Sequence, residues 1–191
     1  MKVAKRIAWV LVPLIIVAAI MARHETDNNT PVQRVATPAS NQAPSQNATP
    51  AESADNTATV GETLERGGIQ FTLEKVERYV DRSDFAMDKP ASGNEFILLW
   101  FAVRNTSNED YHVNMFYEDS YVDGFSQETK PLFFGVSGDS LWGDVAVGKA
   151  TRGYVGYEIK TGWNEIEFQY KPIFSGQESK LIFIATSNDV E

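Results

Sequence analysis

Eight apolar residues in a row, from Phe96 to Val103, lie between Gly93 and Asn105 in the stretch GNEFILLWFAVRN. That length suits a strand better than a helix, and the aromatic and branched content agrees. An uninterrupted apolar run predicts a strand buried on both faces, at the centre of a packed sheet. Within it Leu99, Phe101 and Val103 share the face expected to point into an inter-sheet core, and Trp100 points the other way.

The rest of the chain after residue 60 repeats with period two. Ile69, Phe71 and Leu73 alternate with Gln70, Thr72 and Glu74, which predicts a half-buried strand. The apolar phase slips between Leu73 and Val76, so a bulge is expected near Glu74 and Lys75. Residues 81–93 read as a polar loop and 113–122 as a further strand region. Asp123-Gly124 is the strongest hairpin signal in the chain and leads into a strand at 125–129. Residues 131–145 read as a long loop with apolar residues in it. Gly148-Lys149 turns into 151–159, where Val155, Tyr157 and Ile159 alternate. Ile166, Phe168 and Tyr170 alternate next, Pro172 ends that strand, and 180–185 is the last. Short strands, frequent turns and no amphipathic helix predict an all-β, antiparallel β-sandwich over residues 59–187.

Upstream the pattern changes twice. Three positive charges at Lys2, Lys5 and Arg6 precede 16 uncharged residues, 7–22. As a helix this segment is about 24 Å long. That is slightly short for a bilayer core and slightly long for the apolar region of a secretory signal. Two readings stand: an uncleaved signal-anchor in the cytoplasmic membrane through residues 7–22, or a signal peptide cleaved near Val17-Ala18-Ala19. Both put the following domain outside the membrane, either single-pass with its C-terminal domain outside or secreted. Residues 23–58 are rich in Ala, Thr, Asn, Gln, Ser and Pro and poor in large apolar residues, so a disordered linker is expected. Asn-X-Ser/Thr sequons occur at Asn28, Asn47 and Asn105.

Composition narrows the function. All 11 Phe, 7 Tyr and 13 Gly lie at or beyond Gly61, so the core belongs to the C-terminal part. With no Cys there is no disulfide, no thiolate metal site and no lipid-modified cysteine. A formal net charge of −9 argues against nucleic acid as a partner.

The ordered set Gly61, GGIQFTLEKV (67–76), GNEFILLWFAVRN (93–105), Asp123-Gly124, VGKATRGYVGYEI (147–159) and FQYKP (168–172) resembles the bacterial domain of unknown function 4352 family. The resemblance covers nearly all of residues 60–185. It implies an immunoglobulin-like sandwich, similar to secreted mycobacterial immunoprotective antigens. It also implies a position outside the membrane, behind a signal and a polar linker. The chain departs from the family in lacking the lipoprotein cysteine and in carrying Trp100 where the pattern tends to be polar. The family supplies no catalytic residues.

Candidate chemistry is thin. His112 follows a turn and reads as a surface histidine rather than the base of a Ser-His-Asp device. Asp119, Asp123, Asp139 and Asp144 lack the alternating spacing of a calcium loop and read as turn and surface residues. Gly135–Gly143 is no phosphate loop. No catalytic residue, metal or cofactor is expected. The remaining candidates are aromatics in predicted loops and turns: Phe133, Phe134, Trp142 and Trp163, either contacting a ligand or closing an end of the sandwich. Two functions follow. One is a tethered extracytoplasmic domain that binds another protein. The other is a secreted carbohydrate-binding module or cell-wall hydrolase component. A coplanar exposed aromatic row beside facing carboxylates would favour the second.

Overall fold

The computed structural model describes residues 32–35, 56–82, 88–115, 118–130, 136–171 and 180–191. The expected N-terminal helix at 7–22 and most of the expected linker lie outside them. Among the described residues no helix is long and apolar enough to cross a membrane.

Twelve strands are described: β1 Gln33–Val35, β2 Thr57–Thr59, β3 Thr63–Arg66, β4 Ile69–Tyr79, β5 Asn94–Asn105, β6 Tyr111–Val113, β7 Glu118–Val122, β8 Phe125–Ser126, β9 Gly143–Val145, β10 Ala150–Lys160, β11 Glu165–Tyr170 and β12 Leu181–Thr186. They form two five-stranded sheets, β1-β3-β4-β5-β10 and β2-β12-β11-β7-β8, and a two-stranded ribbon of β6 and β9. All pairings are antiparallel except β2 with β12. The described residues form an all-β sandwich.

The long apolar run became β5, which pairs along its length with both β4 and β10. Leu99, Phe101 and Val103 are fully buried on its inner face, as the alternation requires. The Phe101 ring lies 4.8 Å from that of Phe168 and 5.3 Å from that of Phe183, centroid to centroid. These contacts join the two sheets. The outer face of β5 is covered over only part of its length. Phe96 and Leu98 are buried with Tyr79 and Tyr154, and Trp100 and Val136 pack against that cluster. Ala102 is half-buried and Arg104 exposed.

Trp100 is fixed by several contacts at once. Its indole N–H donates to Glu77 Oε2 at 2.9 Å. Lys75 lies 5.0 Å above its ring. The Tyr154 ring is 5.4 Å away. A Cβ at Gly138 would come within 2.8 Å of the Trp100 ring, so the backbone of the 136–141 segment lies directly on it. Residues read from sequence as a long loop with apolar residues in it therefore cover part of the outer face of the central strand.

The same segment shields the free edge of β10. Leu141 N–H donates to Tyr154 O at 3.0 Å, and Tyr154 N–H donates to Asp139 O at 3.1 Å. Unpaired strand edges invite association with other chains, and these bonds occupy part of one. The close approach depends on Gly153. A Cβ there would meet the Leu141 backbone at 2.7 Å. Gly153→Ala is therefore expected to push the segment off β10 and draw Leu141, now 1% exposed, out of the core. A loss of about 1–3 kcal/mol, typical of overpacking, should appear in denaturant melts. Unchanged protection of the Leu141 and Tyr154 amides in the variant would show that the segment tolerates the methyl group.

Two sequence signals map onto the backbone. Pairing of β4 with β5 shifts register between Leu73 and Lys75, leaving Glu74 as the bulged residue. Asp123 (φ 49°) and Gly124 (φ 80°) make the two-residue turn between β7 and β8, in the left-handed region that a type I′ hairpin needs. Four expectations are corrected. The region 113–122 is divided between β6 in the ribbon and β7 in the second sheet. Part of the 131–145 loop is strand β9. The linker does not extend unbroken through residues 23–58. Gln33–Val35 pair with Thr63–Glu65 as an edge strand, Val32 is buried, and Ala58 is in the core. At the other end Val190 bridges to Val76, so the folded unit passes beyond residue 187. A three-residue strand with one buried valine carries too little apolar surface to stand out in a composition window.

Candidate functional site

Two ends of the sandwich hold what the described surface offers. One end is organised by Asn105, which is fully buried at the close of β5. Its amide donates to Glu109 O at 2.7 Å and Val145 O at 2.8 Å. Its carbonyl accepts from Ser107 N–H at 2.9 Å and Ser107 Oγ at 2.7 Å. Every polar atom of the side chain is used, as burial demands. Asn105 heads a sequon, yet its amide is enclosed in the folded domain.

Beyond this hub stands the β6–β9 ribbon. His112 and Asp144 face each other across it, with Nδ1 and Oδ1 2.6 Å apart. The His112 and Trp142 rings meet edge to face at 5.2 Å. Trp142 is 50% exposed, and Val147, on the far side of β9 in the chain, is exposed too. Both members of the His–Asp pair are open to solvent, which keeps such a pair weak. His112 is thus a surface histidine, as read from sequence.

The opposite end carries the β7–β8 hairpin. Phe125 is 78% exposed, the largest exposure of any big apolar side chain among the described residues. Beside it runs a groove lined by Val122, Ile159, Lys160 and Trp163. Trp163 itself is 4% exposed and belongs to the inter-sheet core. Its indole N–H donates to Glu95 Oε1 at 3.2 Å. The aromatics expected to contact a ligand thus separate. Trp142 stands at one end and Trp163 is buried near the other, while Phe133 and Phe134 lie outside the described residues. Phe125 was assigned from sequence to a strand. The only hint of its exposure was its place directly after the hairpin turn.

The four aspartates are dispersed. Asp123 Oδ1 accepts the N–H groups of Asn164 and Glu165, both at 3.0 Å, tying the hairpin to β11. Asp119 pairs with Lys171 and, at 3.7 Å, with Lys180. Hydrogen bonding to Lys171 holds its carboxyl below the usual range. Asp144 faces His112, and Asp139 lies along β10. Among the described residues no group of three or more His, Asp or Glu side chains converges as a metal site would require.

One polar chain runs from half-buried Glu118 to buried Ser120 and Tyr157. Ser120 Oγ donates to Glu118 Oε2 at 2.5 Å and lies 2.8 Å from Tyr157 Oη. Tyr157 is fully enclosed, and burial pushes its hydroxyl well up. Burial likewise raises Glu118, opposed by the bond from Ser120. A carboxyl raised in the folded state favours folding below its unfolded pKa, and that contribution is lost as pH rises through the folded value. Glu158 has the opposite sign. Its hydrogen bond from Lys130 lowers it to about 2, so its contribution is present above the usual carboxylate range and fades toward pH 2. Glu118→Gln keeps an acceptor for Ser120 and carries no charge. The variant is expected to gain on wild type in melting temperature as pH rises from 5 to 8. A constant difference across that range would remove Glu118 as the cause.

Comparison with known proteins agrees with this architecture. The family described as "Domain of unknown function (DUF4352)" matches residues 58–180. No curated protein matches the chain. Among solved structures, a candidate lipoprotein (ycdA) from Bacillus subtilis subsp. subtilis str. 168 superposes on 66% of the chain, with TM-score 0.54 and 17% identity. The match spans 39% of that protein's chain. The yjhA protein from Bacillus subtilis is similar over 67% of this chain and 97% of its own, with 18% identity and TM-score 0.48. An uncharacterized β-sandwich protein from Clostridium difficile 630 covers 74% of this chain and 99% of its own, with 9% identity and TM-score 0.42.

Proposed function

This chain belongs to the DUF4352 family, and from that premise we propose that it is a membrane-tethered extracytoplasmic module that binds another protein. The basic flank and apolar segment at 7–22 supply the tether. The description of ycdA as a candidate lipoprotein accords with a position at the outer face of a membrane. The observation that carries the binding reading is Phe125. A large aromatic at 78% exposure, on a hairpin held rigid by Asp123, is the kind of anchor that protein interfaces bury. Against the carbohydrate reading, the exposed aromatics among the described residues, Trp142 and Phe125, stand at opposite ends and form no row.

The test uses the full chain in its own membrane. Carbonate washing should leave it in the pellet, and protease added from outside should reach it. Photo-crosslinking from position 125 should then trap one surface protein, and the adduct should vanish when excess wild-type chain competes but persist when excess Phe125→Asp chain does. Release by carbonate would overturn the tether. Crosslinks to carbohydrate alone would overturn the protein ligand.

A further inference from the structure

The groove beside Phe125 joins apolar surface to a charge that the domain does not use. Its volume is about 430 Å³, toward the small end of the about 300–1,000 Å³ typical of ligand clefts. Ile159 and Trp163, both part of the inter-sheet core, line it together with half-buried Val122, and exposed Phe125 stands at its rim. Its two walls are held in place. Asp123 ties the hairpin to β11 on one side. On the other, Thr161 N–H donates to Gly93 O at 3.0 Å and Thr161 Oγ1 donates to the same oxygen at 3.2 Å.

The polar side chains that line the groove are engaged inside the domain, with one exception. Asp123 Oδ1 accepts two backbone N–H groups. The Gln127 amide donates to Glu128 O at 3.1 Å and to Glu158 O at 3.4 Å. The Trp163 indole N–H donates to Glu95 Oε1, and the other oxygen of that carboxylate accepts from Arg78 Nε at 2.5 Å. Lys160, exposed at the end of β10, has no hydrogen bond or ion pair. The chain holds 26 acidic residues against 17 basic ones, yet none of those carboxylates meets this ammonium. A solvated surface lysine is ordinary. Its place on the edge of an apolar groove is what makes it selective: a partner that covers the groove excludes water and strengthens any attraction to the charge.

We infer that the groove takes an apolar side chain of a protein partner and that Lys160 pairs with a carboxylate next to that side chain on the same segment. The inference rests on the protein-binding reading above and names the chemistry of the segment bound. An apolar residue beside Asp or Glu satisfies both the groove and the ammonium. One beside Lys or Arg brings like charges together at contact and is rejected. The net charge of −9 opposes acidic partners at long range. That repulsion is screened beyond about 10 Å at 0.1 M salt, whereas Lys160 acts at contact.

The test uses the full chain in its own cells, with a photoreactive phenylalanine at position 125. With Lys160 in place the chain should form an adduct with a surface protein, and mass spectrometry of the adduct should place an Asp or Glu next to the crosslinked position. Lys160→Glu should cut the adduct yield about tenfold or more, and Lys160→Arg should keep most of it. On isolated membranes the yield with Lys160 should fall between about 50 and about 500 mM salt, and that of Lys160→Gln should stay level. Lys160 is exposed, so the variants should keep the melting temperature of the parent chain. Equal yields from Lys160, Lys160→Arg and Lys160→Glu chains would overturn the carboxylate contact and leave the protein-binding reading standing. A crosslinked segment that carries Lys or Arg and no acid would overturn the contact in the same way. Adducts between copies of this chain would overturn the separate partner. No protein adduct from the chain with Lys160 would overturn the protein-binding reading itself, and the proposed occupant of the groove with it.

Discussion

Phe101→Ala is expected to leave the domain marginal or unfolded at room temperature. Phe101 is fully buried at the middle of β5, between the Phe168 and Phe183 rings of the facing sheet. Removing a buried phenyl ring forfeits its transfer free energy and leaves a cavity, together about 3–5 kcal/mol. Domain stabilities are typically about 5–15 kcal/mol. The site cannot collapse easily, because β5 is held by β4 on one side and β10 on the other. Urea melts of wild type and variant measure the loss. A midpoint within a few tenths molar of wild type would mean that Phe101 is not the contact between the sheets. Phe101→Leu, which refills most of the volume, should recover much of the difference.

Asn105→Ala is expected to have the next largest effect, for a different reason. The substitution removes little apolar surface. It strands the Val145 carbonyl and the Ser107 N–H in a region where Asn105 was their partner. A buried polar group left unpaired costs about 1–3 kcal/mol, and with the Val145 carbonyl buried and Ser107 half-buried a total of about 2 kcal/mol is expected. The damage should be local first. The β9 strand and the 105–110 turn should lose amide protection before the sheets do. Asn105→Asp keeps the acceptor for Ser107 and loses both N–H donors, so it should not rescue the fold. A stability change below about 0.5 kcal/mol for Asn105→Ala, the level of an ordinary surface change, would refute the hub.

Phe125 is apolar area held out by a rigid turn, and its value lies in being covered by something else.

Periodicity alone determined most of the frame. The unbroken run in β5, the alternation in β4, β10 and β11, and the Asp123-Gly124 turn each follow from short-range rules that need no partner strand. Even the Glu74 bulge was legible, because a slip in apolar phase has few other causes. Leu99, Phe101 and Val103 were placed inward by alternation, and they are. What the sequence could not decide was which surface covers which. The 136–141 segment lies on Trp100 and along β10 because Gly138 and Gly153 leave room for a backbone, and a glycine reads in sequence only as a turn. Trp163 is buried because its turn folds back onto Glu95, a contact across 68 residues. Phe125 is exposed because β8 is two residues long and ends its sheet. Gln33–Val35 join the first sheet through a partner about thirty residues away, with a single valine as anchor. Local pattern fixes which residues form strands, since it depends on neighbours in the chain. Burial of loop residues and capture of a short edge strand depend on surfaces that exist only once the sheets have met.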